Sequence, residues 1–376
     1  MTHKTPTGPL VPSTSTLYKP YKHTPKPFVR REALARAQRF DKAPDMDNPM
    51  IMELLKMHTY CRPSGSVTER DFCAKYIDSI PGVVTDAGDN RIIHVGDTVA
   101  NPVLWSSHTD TVHHKAGTQK VTYGDGILTL SEGSLSSCLG ADCTVGVWIM
   151  RQMILANVPG VYIFHSAEEI GGHGSRHIAN ATPNLIRGLK YAIAFDRKGT
   201  HSVITHQMSR CASDEFGSAL AKALGSPYSL DTGGTFTDTA NYTEIIPECT
   251  NISVGYYNQH FSDEYLDVSF ALHVLNQVLR LDVSTLPAVR DPSVASQWDD
   301  DFGWGGYGGF KRYNDGLGSA HPDHSSKSGK KPYAVDPHAT LEDLVWDNPD
   351  VAALMLEGAG FTADDFRECL AEYNFK

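Results

Sequence analysis

The sequence predicts an α/β protein: a three-layer α/β/α sandwich with a mixed, mainly parallel central sheet, extended at both ends of the chain. Two observations carry this. Short apolar runs of buried-strand type, such as PVLWSS, GVYIFHSA and GLKYAIAFD, alternate with stretches of helical periodicity such as TVGVWIMRQMILAN and SDEFGSALAKAL. Apolar strands that alternate with helices need cover on both faces of the sheet. The length of 376 residues, 40% of them hydrophobic, provides for a sizeable core.

The elements follow in order. Residues 1–45 are rich in Pro, with nine lysines and arginines against three acids, and are expected to form a flexible basic arm containing a short helix at REALARAQRF. Periodic structure begins near Asn48. PMIMELLKMHTY reads as a helix, Pro63-Ser64-Gly65 breaks it, and VTERDFCAKYIDSI reads as a second helix. RIIHVGD and PVLWSSHTDTV are expected strands, and KVTYGDGILTL a hairpin turning near Asp125-Gly126. A helix at TVGVWIMRQMILAN, a strand at GVYIFHSA, a helix from SRHIAN and a strand at GLKYAIAFD come next. SDEFGSALAKAL (helix), TNISVGY (strand) and SFALHVLNQVLRL (helix) complete a catalytic-sized body over 46–285. A Gly-, Asp- and Ser-rich linker is expected over 286–338. A small helical segment follows over 339–376, with Thr340 and Thr362 as N-caps.

Composition excludes several classes. The net charge of −11 argues against a generic nucleic-acid binder. No stretch approaches the roughly 20 apolar residues of a membrane span, and the opening residues lack the apolar run of a signal peptide. Seven cysteines with no CxxC pair suit a reducing compartment rather than a disulfide framework. The expectation is a soluble, cytoplasmic protein with no nucleic-acid or membrane partner. The two extensions are the places where a protein partner or further copies of the chain would bind.

Chemistry concentrates at strand ends. PVLWSS ends in His108-Thr109-Asp110, with His and Asp two apart and so on one face of a strand. A metal-binding imidazole needs an acceptor on its other nitrogen, a role open to Asp110. Gly140-Ala141-Asp142 precedes a helix, where the carboxylate is either an N-cap or a group placed at the sheet edge where open α/β folds put their sites. In VYIFHSAEEIGGHGS a buried strand runs into Glu168-Glu169. Two adjacent carboxylates there are costly unless a cation or protons compensate them. Asp196 ends GLKYAIAFD, and His260 follows the strand in ISVGYYNQH. Each alone is commonplace; together they are His and carboxylate ligands of the type that suits zinc, with water in the open position. Two zincs sharing a bridging carboxylate need His plus Asp on one side and His plus Glu on the other, which leaves one Glu as a base.

The order HTD, GAD, EE, AFD and QH resembles the clan of two-zinc exopeptidases: leucyl-type and tetrahedral aminopeptidases, tripeptidase T, and carboxypeptidase or deacetylase relatives. The resemblance covers roughly residues 48–282, with CRPSGSVTE similar to the opening of these enzymes and GGTFTDTANY to their closing segment. It implies a metal-dependent aminopeptidase with two Zn2+ ions, for which Co2+ or Mn2+ could substitute. Asp142 would bridge, His108 and Asp196 would bind one ion, and Glu169 and His260 the other. Glu168 would be the general base and Asp110 would orient His108. It also implies a cis peptide at Asp142-Cys143. Relatives carry a lid domain either between the ligands matching Asp196 and His260 or between those matching His108 and Asp142. Here the spacings are 64 and 34 positions, too short for a lid, so the compact branch matches best.

Substrate choice is open at this level. The expected substrate is a peptide or an N-acyl amino acid. Deacetylase or carboxypeptidase chemistry is the nearest alternative, and an inactive binding protein of the same fold the next. Arg197, Tyr256, Tyr257 and the loop from Thr232 to Asp238 are candidate pocket residues. Arg197 would suit a carboxylate, and Asp238 or Asp263 an N-terminal amine. His113, His114, His173, His177, His201 and His206 have no matching role and are expected at the surface, with His321 and His324. Cys143 is expected to be a packed thiol.

Overall fold

In the computed structural model, residues 47–207 and 209–294 are described, all within the first of the two units into which the chain divides. The basic arm, most of the linker, the C-terminal helices, Thr340, Thr362, His321 and His324 lie outside the described residues.

An eight-stranded mixed sheet has the order β13-β10-β14-β9-β4-β8-β3-β2. Its strands are β2 (Val84–Thr85), β3 (Arg91–Val95), β4 (Val103–His108), β8 (Gly160–His165), β9 (Tyr191–Arg197), β10 (Ser202–Ile204), β13 (Ser229–Asp231) and β14 (Glu248–Ser253). β8, β4, β9 and β14 run parallel, and β3 and β10 pair antiparallel at either side. Alternation along the strands fills two separate cores. Val103 and Trp105 of β4, Tyr162 and Phe164 of β8, and Ile193 and Phe195 of β9 enter one; Leu104, Val161, Ile163 and Ala192 enter the other. One core on each face is what a three-layer sandwich requires.

The first core is covered by α1 (Pro49–Met57), α2 (Val67–Tyr76), α3 (Ala141–Leu155), α5 (Asp214–Leu224) and α6 (Val268–Val278). Helix α3 is apolar nearly all round and is buried on almost every side. The glycine at 146 lets it sit hard against the sheet: a Cβ there would stand 2.4 Å from the Phe195 carbonyl oxygen. On the other face α4 (His173–Ala181) contributes Ile178 to the second core. The sheet also ties down the segment that follows its last helix. Buried Glu248 accepts the N–H groups of Val289 and Arg290, and the Arg290 guanidinium donates to the Pro247, Thr243 and Ile246 carbonyls.

A second, four-stranded antiparallel sheet has the order β15 (Tyr256–Tyr257), β16 (Tyr265–Asp267), β7 (Ile127–Leu130), β6 (Val121–Gly124). The hairpin predicted at Asp125-Gly126 is present. Both residues have positive φ (55° and 82°), the type I′ condition that Asp-Gly satisfies readily.

Helix boundaries fall short of the sequence reading at two places. The first helix stops at Met57, because Tyr60 and Cys61 form β1 against β5 (Gly117–Thr118). The second stops at Tyr76 rather than continuing to Ile80. Between residues 202 and 231 short strands, among them β11 (His206–Gln207) and β12 (Ser209–Arg210), carried no readable period. The six described cysteines are free and buried. Among the described residues no helix is long and apolar enough to cross a membrane.

Candidate metal centre

The C-terminal ends of the parallel strands β4, β8 and β9 share one edge, where open α/β sheets place their sites. His108 closes β4 and Asp196 lies in β9. Glu168 and Glu169 follow β8 in a turn that begins with Ala167 at φ 56°, and Asp142 is in the first turn of α3. His260 comes from the loop between β15 and β16 and has φ 71°. The fold thus gathers all six residues, and Asp110 with them.

His108 Nδ1 donates to the Asp110 carbonyl at 3.1 Å, with the Asp110 carboxylate 3.5 Å away. A carbonyl can only accept, so Nδ1 carries a proton and Nε2 is the atom left to face a ligand. Nε2 faces Asp196 Oδ1 at 3.6 Å. The Asp110 carboxylate accepts the Glu168 and Glu169 N–H groups at 3.0 and 3.2 Å. Asp110 therefore braces the acidic turn as well as the imidazole. Asp196 is held in turn: Thr237 donates to Oδ2 at 2.9 Å, the Asn251 amide donates to its carbonyl at 2.8 Å, and the Tyr256 hydroxyl donates to that carbonyl at 3.1 Å. His260 Nε2 stands 3.0 Å from Asp142 Oδ2 and 3.5 Å from Glu169 Oε1.

Three donor groups have ligand atoms all within 4.8 Å of one another: His108, Asp142 and Cys143; His108, Glu168 and Glu169; Asp142, Glu169 and His260. Asp142 belongs to a group with each histidine. Glu169 Oε1 is buried without a hydrogen-bond partner. Buried carboxylate oxygens in this state are what a cation would satisfy, and the His and carboxylate donors fit zinc.

Electrostatics say the same. Burial holds Glu168 well above the usual carboxylate range, with Glu169, Asp196 and Asp238 adding to it and His108 opposing. Burial and Asp142 push Glu169 up to about 7. Against burial, the hydrogen bond that His260 donates to Asp142 and the Glu169 carboxylate raise His260 to about 11. Against burial too, Cys143, Asp110 and Asp196 raise His108 well above its ordinary value. Despite burial, the hydrogen bond with His260 holds Asp142 well below the carboxylate range. Protons thus compensate the cluster's negative charge, and cations at the same atoms would displace them.

Several sequence expectations are corrected. The cis peptide found among the described residues is Ser226-Pro227; Asp142-Cys143 is trans, because both residues lie in the first turn of α3, capped by Gly140 at φ 67°. His113 is buried rather than at the surface: its ring is tied to Thr111 Oγ1 at 2.6 Å and Gln119 Oε1 at 3.0 Å. Tyr256 and Asp238 are buried as well. Tyr256 supports Asp196, and Asp238 lies 3.4 Å from His165 Nδ1, so neither lines an open pocket. Arg197 donates to Gly233 O at 2.8 Å and pairs with Asp231 at 3.3 Å. Cys143 is a packed thiol, as expected, raised to about 12 by burial.

Three residues had no legible signal. Arg62 is wholly buried, donating to Thr109 O at 2.9 Å, Thr144 Oγ1 at 2.9 Å and Cys143 Sγ at 2.7 Å, with its guanidinium 3.8 Å over the Phe72 ring. His165, buried beneath the site, contacts Ser106 and the Tyr242 hydroxyl. Glu264 follows His260 by four positions and accepts N–H groups at the start of α3. An acid in a polar loop has no periodicity to mark it.

No protein-family model and no curated protein matches the sequence. Solved structures similar to the chain include an aminopeptidase PepT from Bacillus cereus (14% identity, 62% of this chain and 98% of that one, TM-score 0.49) and a tripeptidase from Staphylococcus aureus (14%, 61% and 96%, TM-score 0.47). A TET1 peptidase from Pyrococcus horikoshii, which assembles into a tetrahedron or an octahedral shell, is also similar (16%, 64% and 100%, TM-score 0.44). The chemistry rests on the site's own geometry.

Proposed function

We propose that the chain is a two-metal exopeptidase that hydrolyses peptide or amide bonds, acting as an aminopeptidase with zinc as its metal. The observation that carries this is the place of Asp142, within one donor group that contains His108 and another that contains Glu169 and His260. A carboxylate shared in this way would be the residue able to serve two ions. His108 and Asp196 would hold one ion, and Glu169 and His260 the other. When bound, the ions supply Lewis-acid activation of water and of the scissile carbonyl.

The remaining steps belong to the chain. Glu168, kept basic by burial among other carboxylates, takes a proton from the attacking water and returns it to the leaving amine. Asp110 fixes the direction of Glu168 through its backbone N–H and holds the Nδ1 proton of His108 in place. Arg197 commits Nη2 to Asp231 and the Gly233 carbonyl.

Metal analysis of the purified protein, with aminoacyl anilides assayed against N-acyl amino acids, tests the reading. The expected result is two zinc ions and anilide hydrolysis that Glu168→Ala abolishes without loss of zinc. Loss of the metal in that variant would move Glu168 into the ligand set. Absence of zinc, with no activity after zinc or cobalt addition, would favour a non-catalytic binding protein.

A further inference from the structure

We propose that Glu264 is a positioning residue that docks the His260 loop onto the start of helix α3 and so fixes the distance between His260 and Asp142; this rests on the two-metal reading above. Glu264 is 1% exposed, and its carboxylate accepts three successive backbone N–H groups. Leu139 and Gly140 donate to Oε2 and Ala141 to Oε1, each at 2.8 Å. These donors stand at the N-terminus of α3, where backbone N–H groups have no partner within the helix. Gly140, the N-cap residue, has no side chain to satisfy them. The cap comes instead from a loop more than 120 positions away in the chain, and its charge suits the positive end of the helix dipole.

The consequence for the site is geometric. Glu264 N donates to Phe261 O at 3.0 Å, which closes a turn directly after His260. Tyr265, the next residue, is paired in β16 with Thr129 of β7. Glu264 is thereby fixed from the sheet side while it grips residues 139–141 on the other. Asp142 is the very next residue of that helix. Two connections join the His260 loop to the start of α3: the Glu264 carboxylate and the 3.0 Å contact of His260 Nε2 with Asp142 Oδ2. A cation between the donors replaces the second of these. The first then sets their separation. Glutamine cannot serve the same purpose, because its NH2 would face a backbone N–H.

Apo protein prepared by chelation is titrated with Zn2+, and separately with Co2+, for the full chain and for Glu264→Gln. The wild type is expected to bind two ions. The variant should bind one with wild-type affinity and the other 10- to 100-fold more weakly, the usual effect of removing a group that supports a ligand. Activity of the variant should return at raised zinc concentration. Two ions bound by Glu264→Gln with wild-type affinity would overturn the positioning role and leave the two-metal reading standing. No ion bound by the wild type would overturn both. Should the glutamine variant fail to fold, Glu264→Asp keeps the charge but withdraws it by one methylene, and is titrated with the same expectations.

Discussion

The Asp110 carboxylate accepts the backbone N–H of Glu168 at 3.0 Å, joining the end of β4 to the acidic turn after β8. Its other oxygen takes the Glu169 N–H, so one buried side chain orients both carboxylates of the turn. Asp110→Asn keeps the volume but turns one acceptor into a donor that faces an N–H. The expected loss is about 1–3 kcal/mol of stability and roughly 10²-fold in kcat through misplacement of Glu168. Thermal melting and steady-state kinetics read the two effects separately. An unchanged kcat would remove Asp110 from the mechanism.

Helix α3 carries Asp142 one turn before Gly146, at the closest approach of the helix to the sheet. In Gly146→Ala the new Cβ would meet Phe195 O at 2.4 Å and Ser107 Oγ at 2.5 Å. The helix must move outward, at a cost of about 1–3 kcal/mol. Asp142 moves with it, away from His108. Expected are a lower melting temperature and weaker zinc retention in dialysis. A variant that melts and binds zinc like the wild type would show that the helix yields without displacing the site.

Arg62 is a cation among neutral acceptors and an aromatic face. Arg62→Met should destabilise the protein by about 1–3 kcal/mol through the lost donors and the carbonyl left unpaired at Thr109. Arg62→Lys should recover little, because an ammonium cannot reproduce the planar fork over Phe72. Denaturant unfolding of both variants checks this, and full recovery by lysine would show that charge alone is needed.

His58 is buried, with Nδ1 bound to Leu54 O, and burial together with Arg62 and His113 lowers it from 6.5 to about 3, against Asp142 and that hydrogen bond. Its folded pKa is lowered, so the unfolded chain takes the proton first. The contribution to stability is complete above about pH 6.5 and is lost as the pH falls toward 3, at about 1.4 kcal/mol per unit. His58→Gln should therefore show a flatter acid limb. Unfolding free energies of the two proteins at pH 7 and pH 5 test it, and parallel limbs would refute it.

The strands, the main helices and the hairpin were legible because period and turn chemistry are local. PVLWSS, GVYIFHSA and GLKYAIAFD became the adjacent central strands β4, β8 and β9, and their C-terminal ends brought His108, Glu168, Glu169 and Asp196 together as their order suggested. What escaped was set by tertiary contact. His113 and Asp238 are polar residues in loop-like sequence, yet both are buried, Asp238 beside the distant His165. Arg62 follows the same rule: nothing local marks a cation that will end among backbone carbonyls and a thiol. The peptide at Asp142-Cys143 is trans because the turn at Gly140 resolves into regular helix at once.

Strand β14 lies between β9 and β10, although it follows both in the chain. During synthesis, then, β9 and β10 wait with open edges until residue 253 has left the ribosome, and the loop with His260 arrives later still. An interrupted chain would display unpaired backbone at the middle of its sheet, the kind of edge that recruits other chains. Ion uptake by a nascent chain would consequently report that the sheet had already closed.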